Sequence, residues 1–388
     1  MRPARRLEPL PEYLAARLNR LVAERRAAGR DVISLGVGDP DLPPSRAARA
    51  ALAAAVQRDD VAHYPTNWGL RPLREAVARF YDVRFGVTLD PDREVLPLLG
   101  AKEGLAHLCL AQLDPGDAAL VADPGYPVYV GGPVLAGAEP VPLPLRADRG
   151  FLPDLDAVPA ADRARANLAI VGYPNNPTGA VADDAFFARL AAFGLDADVP
   201  ICHDNAYSEI AFDGYVAPSF LAAPDAREAG IEILSLSKAF SLPGWRLAFA
   251  VGNAAMVANL HRLKAHVDAG VFEGLQRAAV HLLDSDPAER RALADVYARR
   301  RTIVVDALRA AGLDVPAPRG GMYVWMPIPT GEPSVVFAAR ILEQTDVVVS
   351  PGAAYGAAGE GFVRLALTVP EPRLREALER LTEALVGP

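Results

Sequence analysis

Ser235-Leu236-Ser237-Lys238, followed by Gly244-Trp245-Arg246, is the stretch on which the reading of this chain turns. Of 40 basic residues only three are lysine, namely Lys102, Lys238 and Lys264, and the rest are arginine. Where surface charge is written almost wholly as Arg, each Lys invites a chemical reason. An amine condenses with an aldehyde, whereas a guanidinium does not. Lys238 follows the apolar run Ile231-Glu232-Ile233-Leu234, which reads as the end of a buried strand. An amine, two hydroxyls and a guanidinium gathered at one strand end suit an aldehyde cofactor that also carries a phosphate. Pyridoxal phosphate (PLP) has both groups. The plain alternative is an ordinary lysine in a loop after a strand, so the rest of the chain must decide.

A chain of 388 residues with 51% hydrophobic content has room for one large domain and a smaller one. No apolar run is long enough to span a bilayer. The N-terminal Arg2, Arg5 and Arg6 lead into no apolar core of a signal peptide. A cytoplasmic location is the expectation. The net charge of −8 and the absence of a basic block exclude nucleic acid as a natural partner. The two cysteines, Cys109 and Cys202, sit in apolar surroundings with no CxxC, and the six histidines show no ligand spacing. No metal is assigned.

An amphipathic helix is expected near 10–28, then a short strand at Val32-Ile33-Ser34-Leu35. Further helices are expected near 45–57, 70–85, 102–113, 126–136, 183–194 and 254–267. Strands are expected at 94–99, 118–122, 168–172, 199–203, 231–235 and 247–251. This alternation predicts an α/β fold with a mostly parallel sheet covered on both faces. One long helical stretch, 274–311, precedes a few strands (322–328, 346–350, 361–367) and terminal helices. The expected organisation is an N-terminal helix and arm over 1–44, a large cofactor-binding domain over 45–275 and a small C-terminal domain over 276–388. The small domain is α+β and takes in the N-terminal arm.

Ligands of such sheets bind beyond the carboxyl ends of the strands. Gly100-Ala101-Lys102 opens a helix straight after a strand, which can cradle a phosphate or be a simple turn. No GxGxxG or GxxxxGK[ST] is present, which disfavours a nicotinamide oxidoreductase or a P-loop enzyme. Asp204 ends a strand; it can keep a pyridine nitrogen protonated or merely cap a helix. Tyr207 and Asn176 can bond the ring's O3′, although Asn176 also suits its turn. Tyr126 can stack on a ring or simply pack. Arg364 lies inside the apolar strand 361–367, where it needs a carboxylate from a substrate or from an internal Asp or Glu.

Taken together these residues resemble the class I/II aminotransferases of PLP fold type I, in the family's order from about residue 33 to 370. The resemblance implies a large domain with a seven-stranded sheet. It makes Lys238 the lysine that holds the cofactor aldehyde and shuttles the proton, and Asp204 the pyridinium partner. Tyr207 and Asn176 become O3′ ligands and Tyr126 the stacking aromatic. Ala101, Lys102, Ser235, Ser237 and Arg246 form the phosphate cup, with Ala101 standing where relatives often have Ser. Arg364 binds the substrate α-carboxylate, with Asn176 and the Gly38 backbone assisting. Tyr64 reaches the neighbouring subunit's phosphate, which implies a homodimer.

The stretches LGVGDPDLP (35–43), GAKEGLAHL (100–108), DPGYPVY (123–129), HDNAYSEIAFDGYVAPSF (203–220) and SLSKAFSLPGWR (235–246) are most similar to LL-diaminopimelate aminotransferase-like proteins. Where such relatives carry a Glu, near Asn67-Trp68, this chain has no acid. Trp68 there leaves room for an apolar or aromatic donor and is expected to face the neighbour's pocket. The implied activity moves an amino group from an L-amino acid to a 2-oxo acid, with 2-oxoglutarate as acceptor. A C–S lyase of the same fold is the alternative. A PLP-binding regulator would need a DNA-binding domain, and only about 30 residues precede Ile33.

Overall fold

The computed structural model describes residues 2–10 and 12–386. Met1, Pro11, Gly387 and Pro388, which the expected segments include, lie outside them. The strands are β1 (Ile33–Ser34), β2 (Val95–Leu98), β3 (Ala118–Asp123), β4 (Glu139–Pro144), β5 (Ala166–Val171), β6 (Ile201–Asn205), β7 (Gly230–Ser235), β8 (Ala248–Gly252), β9 (Tyr323–Pro327), β10 (Val347–Val348), β11 (Ser350–Pro351) and β12 (Phe362–Ala366). Seven form one sheet in the order β2-β8-β7-β6-β5-β3-β4. Only β8 runs antiparallel to its neighbours, β2 and β7. The mostly parallel α/β architecture is the one expected.

Two differences from the sequence reading have clear causes. The seventh strand, β4, was not among the strand candidates. It carries Pro140, Pro142 and Pro144 in alternation, which only an edge strand tolerates because proline donates nothing to the ladder. The long helical stretch 274–311 is two helices, Glu273–Leu283 and Pro287–Ala310. Asp286 caps the second one by accepting from the Ala288 amide, and Pro287 takes the first helical position.

Helices cover both faces of the large sheet. One face packs Leu73, Val77, Phe80 and Tyr81 of helix Arg71–Phe85. That helix ends at Gly86, whose φ of 68° suits glycine. The other face packs Leu105, Leu108 and Cys109 of helix Ala101–Gln112. A separate apolar cluster joins Ile33 and Leu35 to Tyr207, Ile210 and Phe212 and to residues between Tyr297 and Leu381. β1 pairs in parallel with β10, so the start of the chain is stitched to its C-terminal part. Strands β6 and β7 are buried along their whole length, and both carry polar side chains inward. Those groups need partners inside the protein.

Candidate active site

Just past the carboxyl ends of β3, β5, β6 and β7 lies a cavity of about 310 Å³. Asp204 and Tyr207 reach it from β6 and the loop beyond. Ser235, Ser237 and Lys238 reach it from the end of β7 and the short helix Leu236–Ala239. Ala101, Lys102, Arg246, Tyr126 and Asn176 line it as well. Gly38 and Arg364 come in from the N- and C-terminal parts of the chain. Twelve of the residues singled out in the sequence therefore meet in one place. Tyr64 and Trp68 do not. Tyr64 is 90% exposed, and Trp68 stacks on His261 with ring centroids 4.0 Å apart.

Nζ of Lys238 donates to the Gly38 carbonyl at 3.1 Å. Asp204 is buried, with Oδ2 accepting from the Tyr129 hydroxyl at 2.9 Å. Its Oδ1 has no partner. Burial pushes the Asp204 carboxyl up to about 6, although the Tyr129 hydrogen bond and the His203 charge pull the other way. A buried acceptor left open beside a cavity fits a ligand that brings an N–H.

Gly100 and Arg246 are packed so closely that a Cβ on the glycine would lie 2.2 Å from the guanidinium. Gly100 has φ of 91°, and the helix Ala101–Gln112 starts immediately after it. A helix start, an arginine and two serines make an anion cradle. Aldehyde-binding amine, open carboxylate and anion cradle together fit PLP.

Arg364 carries the decisive contacts. It is buried, and it donates to Asn176 Oδ1 at 2.9 Å and to the Gly36 carbonyl at 2.7 Å. Its guanidinium lies 4.0 Å from the Tyr323 ring centroid and 4.8 Å from that of Tyr355. No Asp or Glu among the described residues pairs with it, so the internal carboxylate weighed in the sequence is absent. Its Nε is unpartnered.

Among the cavity-lining residues that escaped the sequence reading are Tyr129, Tyr323, Tyr355 and Asp39. Tyr129 follows Tyr126 by three residues in DPGYPVY: it lies in the first turn of the helix Val128–Ala136, and its amide donates to the Tyr126 carbonyl just before that helix at 2.8 Å. Tyr323 bonds the Tyr207 hydroxyl at 3.0 Å. Burial raises both phenols, but for Tyr323 the charges of Arg364 and Lys238 outweigh it and hold the group below its usual range. A tyrosine inside the apolar run Met322-Tyr323-Val324-Trp325 was the available signal, since a buried hydroxyl requires a partner.

The family model for aminotransferase class I and II matches residues 30–381. The chain is 49% identical to LL-diaminopimelate aminotransferase of Desulforudis audaxviator, over 98% of this chain and 97% of that protein. It is 46% identical to the enzyme of the same name from Moorella thermoacetica, over 99% of each. Among solved structures, apo-BacF from Bacillus subtilis superposes with a TM-score of 0.96 at 38% identity, covering 99% of this chain and 98% of that one. Full-length likeness of this kind, joined to a cavity built for an amine-reactive phosphate cofactor, places the chain in the class I and II aminotransferases, as a PLP-dependent transaminase.

Proposed function

We propose that this transaminase takes its amino group from LL-diaminopimelate and passes it to a 2-oxo acid, 2-oxoglutarate being the expected acceptor. The observation that carries the amino-acid reading is Arg364, a buried guanidinium at the cavity wall with no carboxylate of its own. A planar fork in that setting binds a substrate carboxylate bidentately. Two observations support the named donor. The full-length relatives described above bear that name. The cavity wall also carries Asp39 and Lys102, one charge of each sign. Diaminopimelate has a second ammonium and a second carboxylate, which that pair complements. Asp39 thus supplies within this chain the acid that segment 64–69 lacks.

PLP, when bound, supplies an aldehyde for the substrate amine and a protonated ring that draws electron density from the substrate Cα. Nζ of Lys238 moves the proton at that Cα, as base and then as acid. Asp204 Oδ1 would hold the ring nitrogen's proton. Tyr207 and Asn176 would hold O3′, and Tyr126 would pack against the ring. The Ala101 and Lys102 amides, Ser235, Ser237 and Arg246 would hold the phosphate. Arg364, with Asn176 and the Gly38 backbone, fixes the α-carboxylate and so the direction of the Cα–H bond. In this reading the protein is a cytoplasmic homodimer. Tyr64, exposed in the single chain, completes the partner's phosphate site, and Trp68 shapes the rim of the partner's pocket. The segments 1–44, 45–275 and 276–388 act as arm, large domain and small domain, although the apolar clusters cross these bounds at Tyr207–Phe212 and at Ala279–Leu283.

The test mixes the PLP form with single amino acids and follows the cofactor's visible band together with the oxo acid formed. LL-Diaminopimelate is expected to convert fastest, and Asp39→Asn to slow it more than it slows glutamate. Faster conversion of an aromatic or simple aliphatic donor overturns the choice of donor. Release of a thiol from a thioether amino acid, with no oxo-acid half-reaction, overturns transamination in favour of the lyase outcome.

A further inference from the structure

One buried lysine has no place in the roles just assigned. Lys264, 1% exposed, ends the helix Ala254–Lys264. Its Nζ donates to Glu103 Oε1 at 2.8 Å and to Asp268 Oδ2 at 2.7 Å. The second oxygen of each carboxylate is also engaged. Glu103 Oε2 accepts from the Leu99 amide at 3.0 Å, and Asp268 Oδ1 from the Gly270 amide at 2.8 Å. His107 brings Nδ1 within 2.5 Å of Glu103 Oε1. Glu103, His107 and Asp268 stand close enough to hold a cation between them, and the ammonium of Lys264 is that cation.

The position of Glu103 gives this cluster a consequence for the site. Glu103 is the third residue of helix Ala101–Gln112, so it lies in the first turn, next to the residues that face the cavity. A helix start attracts anions through its free amides and positive end. A bare carboxylate in that turn competes with any anion bound there. Burial acts to raise the Glu103 carboxyl, but the His107 contact and the charge and hydrogen bond of Lys264 outweigh it and hold the group below the usual carboxylate range. Glu103 is therefore ionised and stands close to where the phosphate is expected. Its charge must be cancelled without giving up its grip on the Leu99 amide, which precedes the Gly100 turn.

We propose that Lys264 is a positioning residue for the cofactor phosphate: it neutralises Glu103, so that Glu103 can anchor the Leu99–Gly100 backbone while the helix start keeps its pull on the anion. This rests on the reading that the Gly100–Lys102 turn and Arg246 hold the phosphate. Two of the chain's three lysines then take separate tasks at one site. Lys238 meets the aldehyde, and Lys264 prepares the seat of the phosphate from behind.

The experiment strips the protein of cofactor and titrates it with PLP and with pyridoxal, which lacks the phosphate. Lys264→Met is expected to weaken PLP by about tenfold or more and pyridoxal by less than about twofold. Equal weakening of both, or of neither, overturns the proposal, because a merely structural lysine would not single out the phosphate. Lys264→Met leaves two carboxylates without their cation, so Lys264→Met/Glu103→Gln is measured beside it. The double variant is expected to recover PLP affinity to within about threefold of wild type. If it stays as phosphate-blind as the single variant, or if it folds and prefers PLP no more than pyridoxal, the proposal falls. Arg246→Leu separates the two layers of inference. If it leaves the preference for PLP over pyridoxal intact, the phosphate seat lies elsewhere. If it abolishes that preference while Lys264→Met does not, only the role of Lys264 is lost.

Discussion

Asp204 and Glu232 are buried carboxylates on adjacent strands of one sheet, and they are provisioned in opposite ways. In the β6–β7 ladder His203 faces Glu232 and Asp204 faces Ile233. One step along the strand separates them, so they point to opposite faces. Glu232 accepts from Tyr81 at 2.7 Å, from His203 and Asn205 at 2.8 Å, from the Phe220 amide at 2.9 Å and from Ser219 at 3.1 Å. Burial alone would raise its pKa; the bond and charge from His203, then Asn205 and Tyr81, hold it below the usual carboxylate range. Asp204 has one partner and one open oxygen, and its pKa is pushed up. A carboxylate that holds the fold together is saturated from within. A carboxylate kept for a ligand is left one bond short, on the face where the cavity lies.

The sharpest way to break this contrast is to delete each carboxylate and measure folding. Glu232→Ala strands four side-chain donors and a backbone amide in the core. It is expected to cost about 3–5 kcal/mol in denaturant unfolding, as breaking a buried charged network does. Asp204→Ala, measured on the cofactor-free protein, should cost less than about 1 kcal/mol, because one hydrogen bond is lost together with an unfavourable buried charge. Equal losses would mean that both residues are structural.

Activity should reverse the order. Asp204→Ala is expected to keep the cofactor and to slow the amino-acid half-reaction by about 10²–10³-fold, the range for removing one preorganised electrostatic partner. A rate near wild type would show that the ring nitrogen has another partner. Glu232 is already satisfied by protein donors, so variants that still fold, such as Glu232→Gln, should lose far less rate.

The residues read as the site stand out in the sequence because each is odd for its surroundings. Lys238 is a rare lysine, Asp204 and Arg364 are charges in apolar strands, and Gly100 and Asn176 sit in turns at strand ends. Glu232 is equally odd inside Ile231-Glu232-Ile233, yet it passed as part of a strand. Its meaning depends on Tyr81, 151 residues earlier, and no local pattern announces that pairing. Tyr129 and Tyr323 were missed for the same reason: the side chains they bond arrive from β6 and the loop after it. β4 was hidden by its prolines, which read as turn punctuation until the sheet order shows the strand at an edge. The break at Asp284–Asp286 was signalled by Asp-Pro, but good helix formers on both sides masked it.

Stability against pH sharpens the contrast further. In the cofactor-free protein the Asp204 carboxyl titrates near 6, against an ordinary value of 3.8. A folded pKa above the unfolded one gives a contribution that is complete below pH 3.8 and is lost as pH rises through about 6. Two pH units correspond to about 3 kcal/mol. Asp204→Asn is therefore expected to be more stable than wild type at pH 7–8 by up to about 3 kcal/mol, with the difference closing as pH falls from 6 towards 4. Glu232 carries the opposite sign. Its pKa is held down, so its stabilisation is present above 4.5 and is lost in acid. Thermal unfolding of cofactor-free wild type and Asp204→Asn across pH 4–8 reads this directly. A difference that does not change with pH would mean that another group titrates.

The smallest expected effect tests how finely Asp204 is set. Its one partner, Tyr129, is buried, and burial together with the nearby Asp204 charge raises the phenol well above its usual range, so it remains a donor. The hydroxyl is held in place on its other side as well, since a Cβ on Gly172 would lie 2.5 Å from it. This hydrogen bond favours the charged carboxylate. Tyr129→Phe removes it, so the Asp204 pKa should rise further and less of the residue should be ionised in the cofactor-free protein at a given pH. The expected loss is about 1 kcal/mol, or roughly fivefold in the half-reaction rate, with KM little changed. A packing role for the ring would leave the acid limb of the rate profile where it is. A role in setting Asp204 moves that limb towards higher pH, because more base is then needed to ionise the carboxyl. If Tyr129→Phe slows the enzyme without moving the limb, the hydrogen bond serves only to seat the ring, and Asp204 is tuned by burial alone.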